Sequence, residues 1–224
     1  ARSVVSLVAG VPCSLCIPEK AYMERKHILR AQVVALRLTS PYEGTDGAQA
    51  VARELARKDP NKFCYVDQYG NEANWKSHYY GTGLEVWHET GGRITHFIAG
   101  LGTTGTFMGT GRRLKELNPT IQLIALQPET ALHGMEGWKH LETARVPEIY
   151  DAGVPDEMRS VTTEESYEMI RLAARAEGLI LSPSAAANLA GAVKLAEELE
   201  NGVIVTVLPD DATKYSEVIN KVLK

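Results

Sequence analysis

A short run of glycines and threonines is the part of this sequence whose residue types point most directly to chemistry. The run reads GLGTTGT (100–106) and lies between an apolar stretch and a helical pattern. Glycines let a backbone approach a bound anion closely, and the first amides of a helix are unpaired and carry the positive end of its dipole. Threonine hydroxyls add further donors. The pattern predicts a phosphate-binding loop, with a purely structural turn as the alternative. The candidate binding residues are Gly102, Thr103, Thr104, Gly105 and Thr106.

The same loop also fits a different kind of phosphate site. Gly100, Gly102 and Gly105 match the pattern G-x-G-x-x-G, and Glu129 follows the next apolar run. In dinucleotide-binding folds such a loop binds the pyrophosphate, and an acidic residue contacts a ribose hydroxyl. An NAD-dependent Rossmann dehydrogenase is therefore an alternative, although the match falls in mid-chain and Glu129 follows a proline. The loop contains no lysine, so a Walker-type triphosphate site is not expected.

The elements that would position this loop alternate between strand and helix along most of the chain. Strands are predicted at 14–18, 33–39, 62–69, 93–100, 121–128 and 202–209. Helices are predicted at 19–31, 47–58, the second half of 78–91, 107–118, 163–178, 184–199 and 215–223, and 129–158 is irregular. Near-continuous apolar strands between helices are typical of a parallel sheet covered on both faces. The fold class is α/β, and such sheets bind ligands at the carboxyl ends of their strands.

Length and composition exclude several classes of protein. The chain has 224 residues, a formal net charge of -4 and 44% hydrophobic residues, enough for one large domain or two small ones. The mild acidity argues against a nucleic-acid-binding protein, and no apolar stretch approaches the roughly 20 residues of a membrane span. Three cysteines are too few for a disulfide scaffold, so we expect a cytoplasmic protein. The histidines lack metal-ligand spacing, and no metal site is expected.

Several stretches together resemble one enzyme family. GTGLEVWHETGGRITHFIAGLGTTGTFMGTGRRLKELNP (81–119) is similar to the core of the cysteine synthases, most of all the B-type O-acetylserine sulfhydrylases. DQYGNEAN (67–74), VPEIYD (146–151) and EGLILSPSAAA (177–187) follow in the order that the family shows. The resemblance implies pyridoxal 5'-phosphate as cofactor and the two-domain, tryptophan synthase β-like architecture called fold type II. It also implies that 1–80 is the remaining part of a small mobile domain and 81–224 most of a large cofactor-binding domain.

The resemblance assigns roles to some of the residues. In the family the counterpart of the loop from Gly102 to Thr106 holds the cofactor phosphate, which agrees with the physical argument. Ser184 corresponds to a serine that donates to the pyridine nitrogen, although the family's following Ser-Gly is Ala185-Ala186 here. An N-cap role for Ser184 is the alternative. Gln68 and Asn71 are candidate ligands of the substrate carboxylate, or else members of an Asn-stabilised turn.

One essential residue of the family has no counterpart in this sequence. The lysine that forms the Schiff base, and the Ser-Gly-Asn-Thr-Gly loop that grips the substrate carboxylate, would lie before or at residue 1. We therefore expect an N-terminal portion to be absent and name no catalytic residue. The chain is either part of a working enzyme, inactive by itself, or a catalytically dead binding protein of the same fold.

The function implied by the resemblance is β-replacement on an activated serine, which yields L-cysteine. The leaving group is that of O-acetylserine or O-phosphoserine, and Lys139 and His140 suggest the phosphorylated substrate. The sulfur donor is sulfide, thiosulfate or a carrier-protein thiocarboxylate. As in the family, a homodimer is expected, with small-molecule substrates and a sulfur-carrier protein as a possible partner.

Overall fold

The computed structural model describes residues 2–21, 23–32 and 34–223, except for the side chain of Arg2. Its strands are β1 (Ser14–Pro18), β2 (Ala35–Thr39), β3 (His96–Gly100), β4 (Gln122–Pro128), β5 (Glu157–Val161) and β6 (Ile204–Thr206). Its α-helices are α1 (Arg2–Ala9), α2 (Met23–Ala31), α3 (Gly44–Lys58), α4 (Ala73–Tyr80), α5 (Thr82–Glu89), α6 (Gly105–Leu117), α7 (Thr163–Glu177), α8 (Pro183–Glu198) and α9 (Ser216–Val222). The predicted α/β class is confirmed.

The chain forms two compact units. Unit 1 comprises Ala1–Val66 with Lys214–Val218, and unit 2 comprises Asp67–Thr213 with Ile219–Lys224. The boundary near residue 80 between a small mobile domain and a large cofactor-binding domain stays a prediction. No helix in the described part of the chain combines the length and apolar character needed to cross a membrane.

Unit 1 is built on a small parallel sheet. Strands β1 and β2 pair from Ser14 opposite Ala35 to Pro18 opposite Thr39, and α2 connects them. Helix α3 packs against both strands and ends before the Asp59-Pro60 pair, because proline cannot continue a helix.

Unit 2 is built on a four-stranded sheet in the order β5-β4-β3-β6, with every neighbouring pair parallel. Side chains along a strand alternate between the two faces, so Leu123 and Leu126 of β4 point to opposite sides. Leu123 lies against Gly111 of α6, and Leu126 lies against Gly191 of α8. Helices therefore cover both faces, which explains why the two central strands are almost continuously buried.

The hydrophobic core of unit 2 lies between β3, β4 and α6. Its buried members are Ile94, Phe97, Ala99, Leu101, Phe107, Met108, Leu114, Ile121, Leu123 and Ala125. Burying a large apolar side chain contributes about 1.5–3 kcal/mol. This cluster therefore fixes the end of β3 and the start of α6, which are the two elements that flank the loop at 100–106.

Three sequence predictions of secondary structure are wrong. The run at 62–69 is not a strand, since the side chain of Asp67 accepts hydrogen bonds from the amides of Tyr69 and Gly70 and turns the chain. The helix placed at 19–31 begins only at Met23. The irregular stretch ends in β5, an edge strand whose exposed charged residues hide the strand periodicity.

Helix α4 was not predicted at all. None of its residues is buried, so it has no apolar stripe from which a helical period could be read. Two of its polar residues, Asn74 and His78, instead contact Thr103 and Thr106 around the start of the neighbouring helix α6.

Candidate functional site

The glycine–threonine loop connects the end of β3 to the start of α6 in a strained conformation. The amide of Leu101 donates to the carbonyl of Leu126 at 2.8 Å, which ties the start of the loop to β4. Thr104 precedes the helix with φ 71° and ψ -9°, in the left-handed region. A β-branched residue seldom adopts this conformation, and such strain is concentrated at functional sites.

The loop presents unpaired donors. Within residues 2–21, 23–32 and 34–223, no protein acceptor is found for the backbone amides of Gly102, Thr103, Thr104, Thr106 or Phe107. The hydroxyl of Thr104 is also buried without a partner there, and Thr104 is only 3% exposed. Converging amides at the positive end of a helix dipole form an anion-binding site.

The loop is tightly surrounded at two of its glycines. A Cβ atom on Gly102 would lie 2.5 Å from the carbonyl oxygen of Gly137, and one on Gly105 would lie 2.1 Å from Oδ1 of Asn74. Glycine is required at 102 because the clash is with backbone, whereas a side chain at 105 would displace the Asn74 side chain. The loop is therefore held between the segment around Gly137 and helix α4.

Two residues of α4 contact the threonine hydroxyls of the loop. Asn74 donates from Nδ2 to Oγ1 of Thr103 at 3.0 Å and to the carbonyl of Gln68 at 2.6 Å. One turn later, Nε2 of His78 lies 3.2 Å from Oγ1 of Thr106, and its Nδ1 lies 3.0 Å from Oγ1 of Thr82. Burial lowers the pKa of the His78 imidazole, which favours its neutral form.

The loop lines a cavity of about 180 Å³ together with residues from α8 and from the segments after β4 and β6. The lining residues are Gly100, Gly102, Thr103, Thr104, Thr106, Glu136, Gly137, Trp138, Ser184, Asn188, Val207 and Pro209. Asn188 joins the end of β3 to the segment after β6. Its side chain accepts from the amide of Gly100 at 2.7 Å and donates to the carbonyl of Val207 at 2.8 Å. The cavity lies at the carboxyl ends of parallel strands, where the α/β pattern predicts a ligand.

Ser184 reaches this cavity from the first turn of α8. Its hydroxyl lies 3.2 Å from that of Ser182, and both side chains are buried. The alternative that Ser184 caps the helix is wrong, because Ser182 occupies the N-cap and accepts from the amide of Ala185 at 3.2 Å. Helix α7 is capped in a similar way by Thr162, which forms a capping box with Glu165.

The other sequence candidates lie outside the cavity lining. Asn71 accepts from the amide of Ala73 at 2.9 Å, which is the turn interaction considered as its alternative role. Gln68 provides the carbonyl that binds Asn74. Glu129, the ribose ligand of the dinucleotide interpretation, is exposed, and its amide pairs with the carbonyl of Val161. Lys139 is buried with its ammonium 5.4 Å from the ring centre of Tyr69.

The fold agrees with comparisons to known proteins. The sequence model of a family described as "Pyridoxal-phosphate dependent enzyme" matches residues 1–210. The cysteine synthase of Aquifex aeolicus is 48% identical over 219 residues, which are 96% of this chain and 67% of that protein. Cysteine synthase B of Pseudomonas aeruginosa is 36% identical, with 96% of this chain and 71% of the relative covered.

Solved structures give the same result. The O-acetylserine dependent cystathionine beta-synthase of Helicobacter pylori superposes with a TM-score of 0.88 at 30% identity, over 96% of this chain and 70% of that one. The O-acetyl serine sulfhydrylase isoform 3 of Entamoeba histolytica gives a TM-score of 0.84 at 28% identity, over 99% of this chain and 72% of that one.

The architecture and the matches define a pyridoxal-phosphate-dependent enzyme of fold type II. Within that class, the chain belongs to the cysteine synthase family, as the resemblance predicted. The cofactor of the family is pyridoxal phosphate. The comparisons support this assignment, and they support neither the NAD-dependent dehydrogenase nor the catalytically dead binding protein.

Three residues around the loop and the cavity, Asn74, His78 and Asn188, are not among the sites predicted from the sequence. The first two stand four residues apart in NWKSH (74–78), a spacing that places two polar side chains on one face of a helix. This spacing can be read from the sequence, but no apolar periodicity in the same segment indicates a helix. Nothing in the local sequence distinguishes Asn188 from a surface residue of α8.

Proposed function

We propose that this protein makes L-cysteine by β-replacement on an activated serine, with pyridoxal phosphate as its cofactor. The observation that carries the proposal is the anion-binding loop, whose unpaired amides and buried Thr104 hydroxyl share one cavity with Ser184. The names of the relatives in Aquifex aeolicus and Pseudomonas aeruginosa, both cysteine synthases, support the choice of reaction.

The residues of the cavity fit the phosphate of the cofactor. A phosphate presents acceptors, and the loop presents the amides of Gly102, Thr103, Thr104, Thr106 and Phe107 with no competing protein acceptor in the described part of the chain. The buried hydroxyl of Thr104 would otherwise cost about 1–3 kcal/mol as an unsatisfied group. Gly102, Thr103, Thr104, Gly105 and Thr106 are therefore the proposed phosphate-binding residues.

Ser184 is the proposed partner of the cofactor's ring nitrogen. Ser182 can donate its hydroxyl hydrogen to Oγ of Ser184 across their 3.2 Å separation, which leaves the Ser184 hydrogen available to the cavity. A neutral hydroxyl, unlike a carboxylate, does not keep a ring nitrogen protonated. The bound cofactor supplies an electron sink for the substrate's α-carbon. Because Ser184 would leave the ring nitrogen unprotonated, the ring would withdraw electrons less strongly.

The substrate-binding residues are proposed from the resemblance. The side-chain amides of Gln68 and Asn71 would donate to the carboxylate of the amino-acid substrate. Both residues lie just before α4, the helix whose Asn74 contacts the loop. We name no catalytic residue.

The substrates and the assembly of the protein are also proposed. O-acetylserine and O-phosphoserine are the candidate serine substrates, and Lys139 with His140 favours the phosphorylated one. Sulfide, thiosulfate and a carrier-protein thiocarboxylate are the candidate sulfur donors. A cytoplasmic homodimer, with a sulfur-carrier protein as a partner, is proposed on the resemblance alone.

The experiment compares substitutions at two buried threonines, one at the N-cap of α6 and one within that helix. Thr104 and Thr110 both bury a hydroxyl that has no partner in the described residues, but only Thr104 lines the cavity. With holoenzyme, pyridoxal phosphate, sulfide and either O-acetylserine or O-phosphoserine, we expect cysteine to form. Thr104→Val should reduce the cofactor affinity about tenfold or more, and Thr110→Val should leave it unchanged. Absence of cysteine from both serine substrates would refute the proposed function.

A further inference from the structure

Helix α4 lies so close to α6 that its polar side chains must meet the phosphate loop. A Cβ atom on Gly109 of α6 would lie 2.0 Å from the carbonyl oxygen of Trp75, so only glycine permits this approach. The close approach brings the imidazole of His78 to the hydroxyl of Thr106, a residue that lines the cavity. His78 itself does not line the cavity, so any effect on a ligand acts through Thr106.

The hydroxyl of Thr106 has a single hydrogen, and its direction depends on His78. A neutral imidazole carries its proton on one nitrogen only, and burial lowers the pKa of His78 toward that neutral form. If Nε2 accepts from Thr106, the threonine presents lone pairs to the cavity and repels an anion. If Nε2–H donates to Thr106, the threonine hydrogen is available to an anion in the loop.

We propose that His78 is a positioning residue whose Nε2–H donates to Oγ1 of Thr106 and thereby directs the Thr106 hydroxyl at the cofactor phosphate. In this tautomer Nδ1 is the acceptor, and the hydroxyl of Thr82, 3.0 Å away, can donate to it. The result is one directed chain of hydrogen bonds from Thr82 through His78 to Thr106 and the anion. The inference rests on the proposed phosphate site.

The test compares ligands that differ only in the phosphate. Binding of pyridoxal phosphate and of pyridoxal is measured by calorimetry for the wild-type protein, His78→Met, His78→Asn and His78→Gln. The amide nitrogen of Gln stands in for Nε2–H, whereas that of Asn corresponds to Nδ1. We expect Met and Asn to weaken pyridoxal phosphate about five- to tenfold without affecting pyridoxal, and Gln to restore most of the loss. Tyr80→Phe, on the exposed side of α4, is the matched control and should change neither affinity.

A double-mutant cycle isolates the path through Thr106. In a Thr106→Val background, His78→Met should weaken pyridoxal phosphate binding no further, since the hydroxyl it directs is gone. Full additivity of the two changes, or equal losses for pyridoxal and pyridoxal phosphate, would overturn the positioning role. If the wild-type protein bound both ligands equally well, the phosphate site itself would be wrong, so the two failures are distinguishable. Should His78→Met fail to fold, the Asn and Gln pair decides the question.

Discussion

Both units contain a parallel sheet with helices packed on it, but they bury their strands to very different extents. In β3 and β4 nine of the twelve residues are buried, because helices cover both faces of the sheet in unit 2. In β1 and β2, all of whose residues the structure describes, Thr39 alone is buried. This difference in burial explains why the strained loop lies in unit 2. Thr104 in its left-handed conformation needs flanking elements that cannot relax, and β3 and α6 are fixed by the hydrophobic core of unit 2.

The largest expected effect comes from removing core volume in unit 2. Phe97 of β3 is fully buried, and Phe97→Ala should reduce the free energy of unfolding by about 3–5 kcal/mol. The matched change in unit 1 is Leu38→Ala in β2, where the side chain is 47% exposed and the expected loss is below about 1 kcal/mol. Urea unfolding measures both values. Comparable losses would contradict the difference in burial between the two sheets.

The next effect concerns the space around the loop. Gly105→Ala would place a Cβ atom 2.1 Å from Oδ1 of Asn74, and we expect a loss of about 1–3 kcal/mol together with weaker binding of pyridoxal phosphate. Gly153→Ala is the control, since its Cβ would meet only Oδ1 of Asp151 at 3.3 Å. Thermal unfolding with and without the cofactor reports both quantities. An unaffected Gly105→Ala protein would show that α4 does not restrain the loop.

A smaller effect of opposite sign is expected at Thr104. Glycine adopts positive φ without penalty, so Thr104→Gly should stabilise the protein by about 1 kcal/mol. The same change removes the buried hydroxyl and should weaken the binding of pyridoxal phosphate. The free energy of unfolding should therefore rise while the affinity for pyridoxal phosphate falls. Denaturant unfolding and cofactor titration measure these two quantities. A variant that loses stability would show that the left-handed conformation stores no strain.

The smallest effect is a pH dependence from unit 2. Burial lowers the pKa values of His78, His96 and His133 below their ordinary value of 6.5, so the unfolded chain binds more protons below that pH. The free energy of unfolding should fall by up to about 1 kcal/mol between pH 7.5 and 5.5. His96→Gln should reduce this slope, because it removes one of the three groups. A stability that rises over the same interval would contradict the assigned burial.

The sequence predicted what short-range patterns can encode. The buried strands β3 and β4, the small-residue start of α8 and the loop between Gly102 and Thr106 all have local signatures. Helix α4 and strand β5 have no apolar periodicity, since α4 buries no residue and β5 is a charged edge strand. The contacts of Asn74 with Thr103 and of Asn188 with Gly100 depend on tertiary packing between segments far apart in sequence. No periodicity predicts such contacts.

The central claim is that a phosphate is bound by the backbone amides of the loop in unit 2. The most direct test is a titration followed by the amide proton and nitrogen shifts of residues 102–107, with pyridoxal phosphate, pyridoxal and inorganic phosphate as ligands. We expect large downfield shifts of these amides with both phosphate-containing ligands and much smaller ones with pyridoxal. Unchanged shifts at Gly102, Thr104 and Thr106 when pyridoxal phosphate binds elsewhere on the protein would contradict the claim.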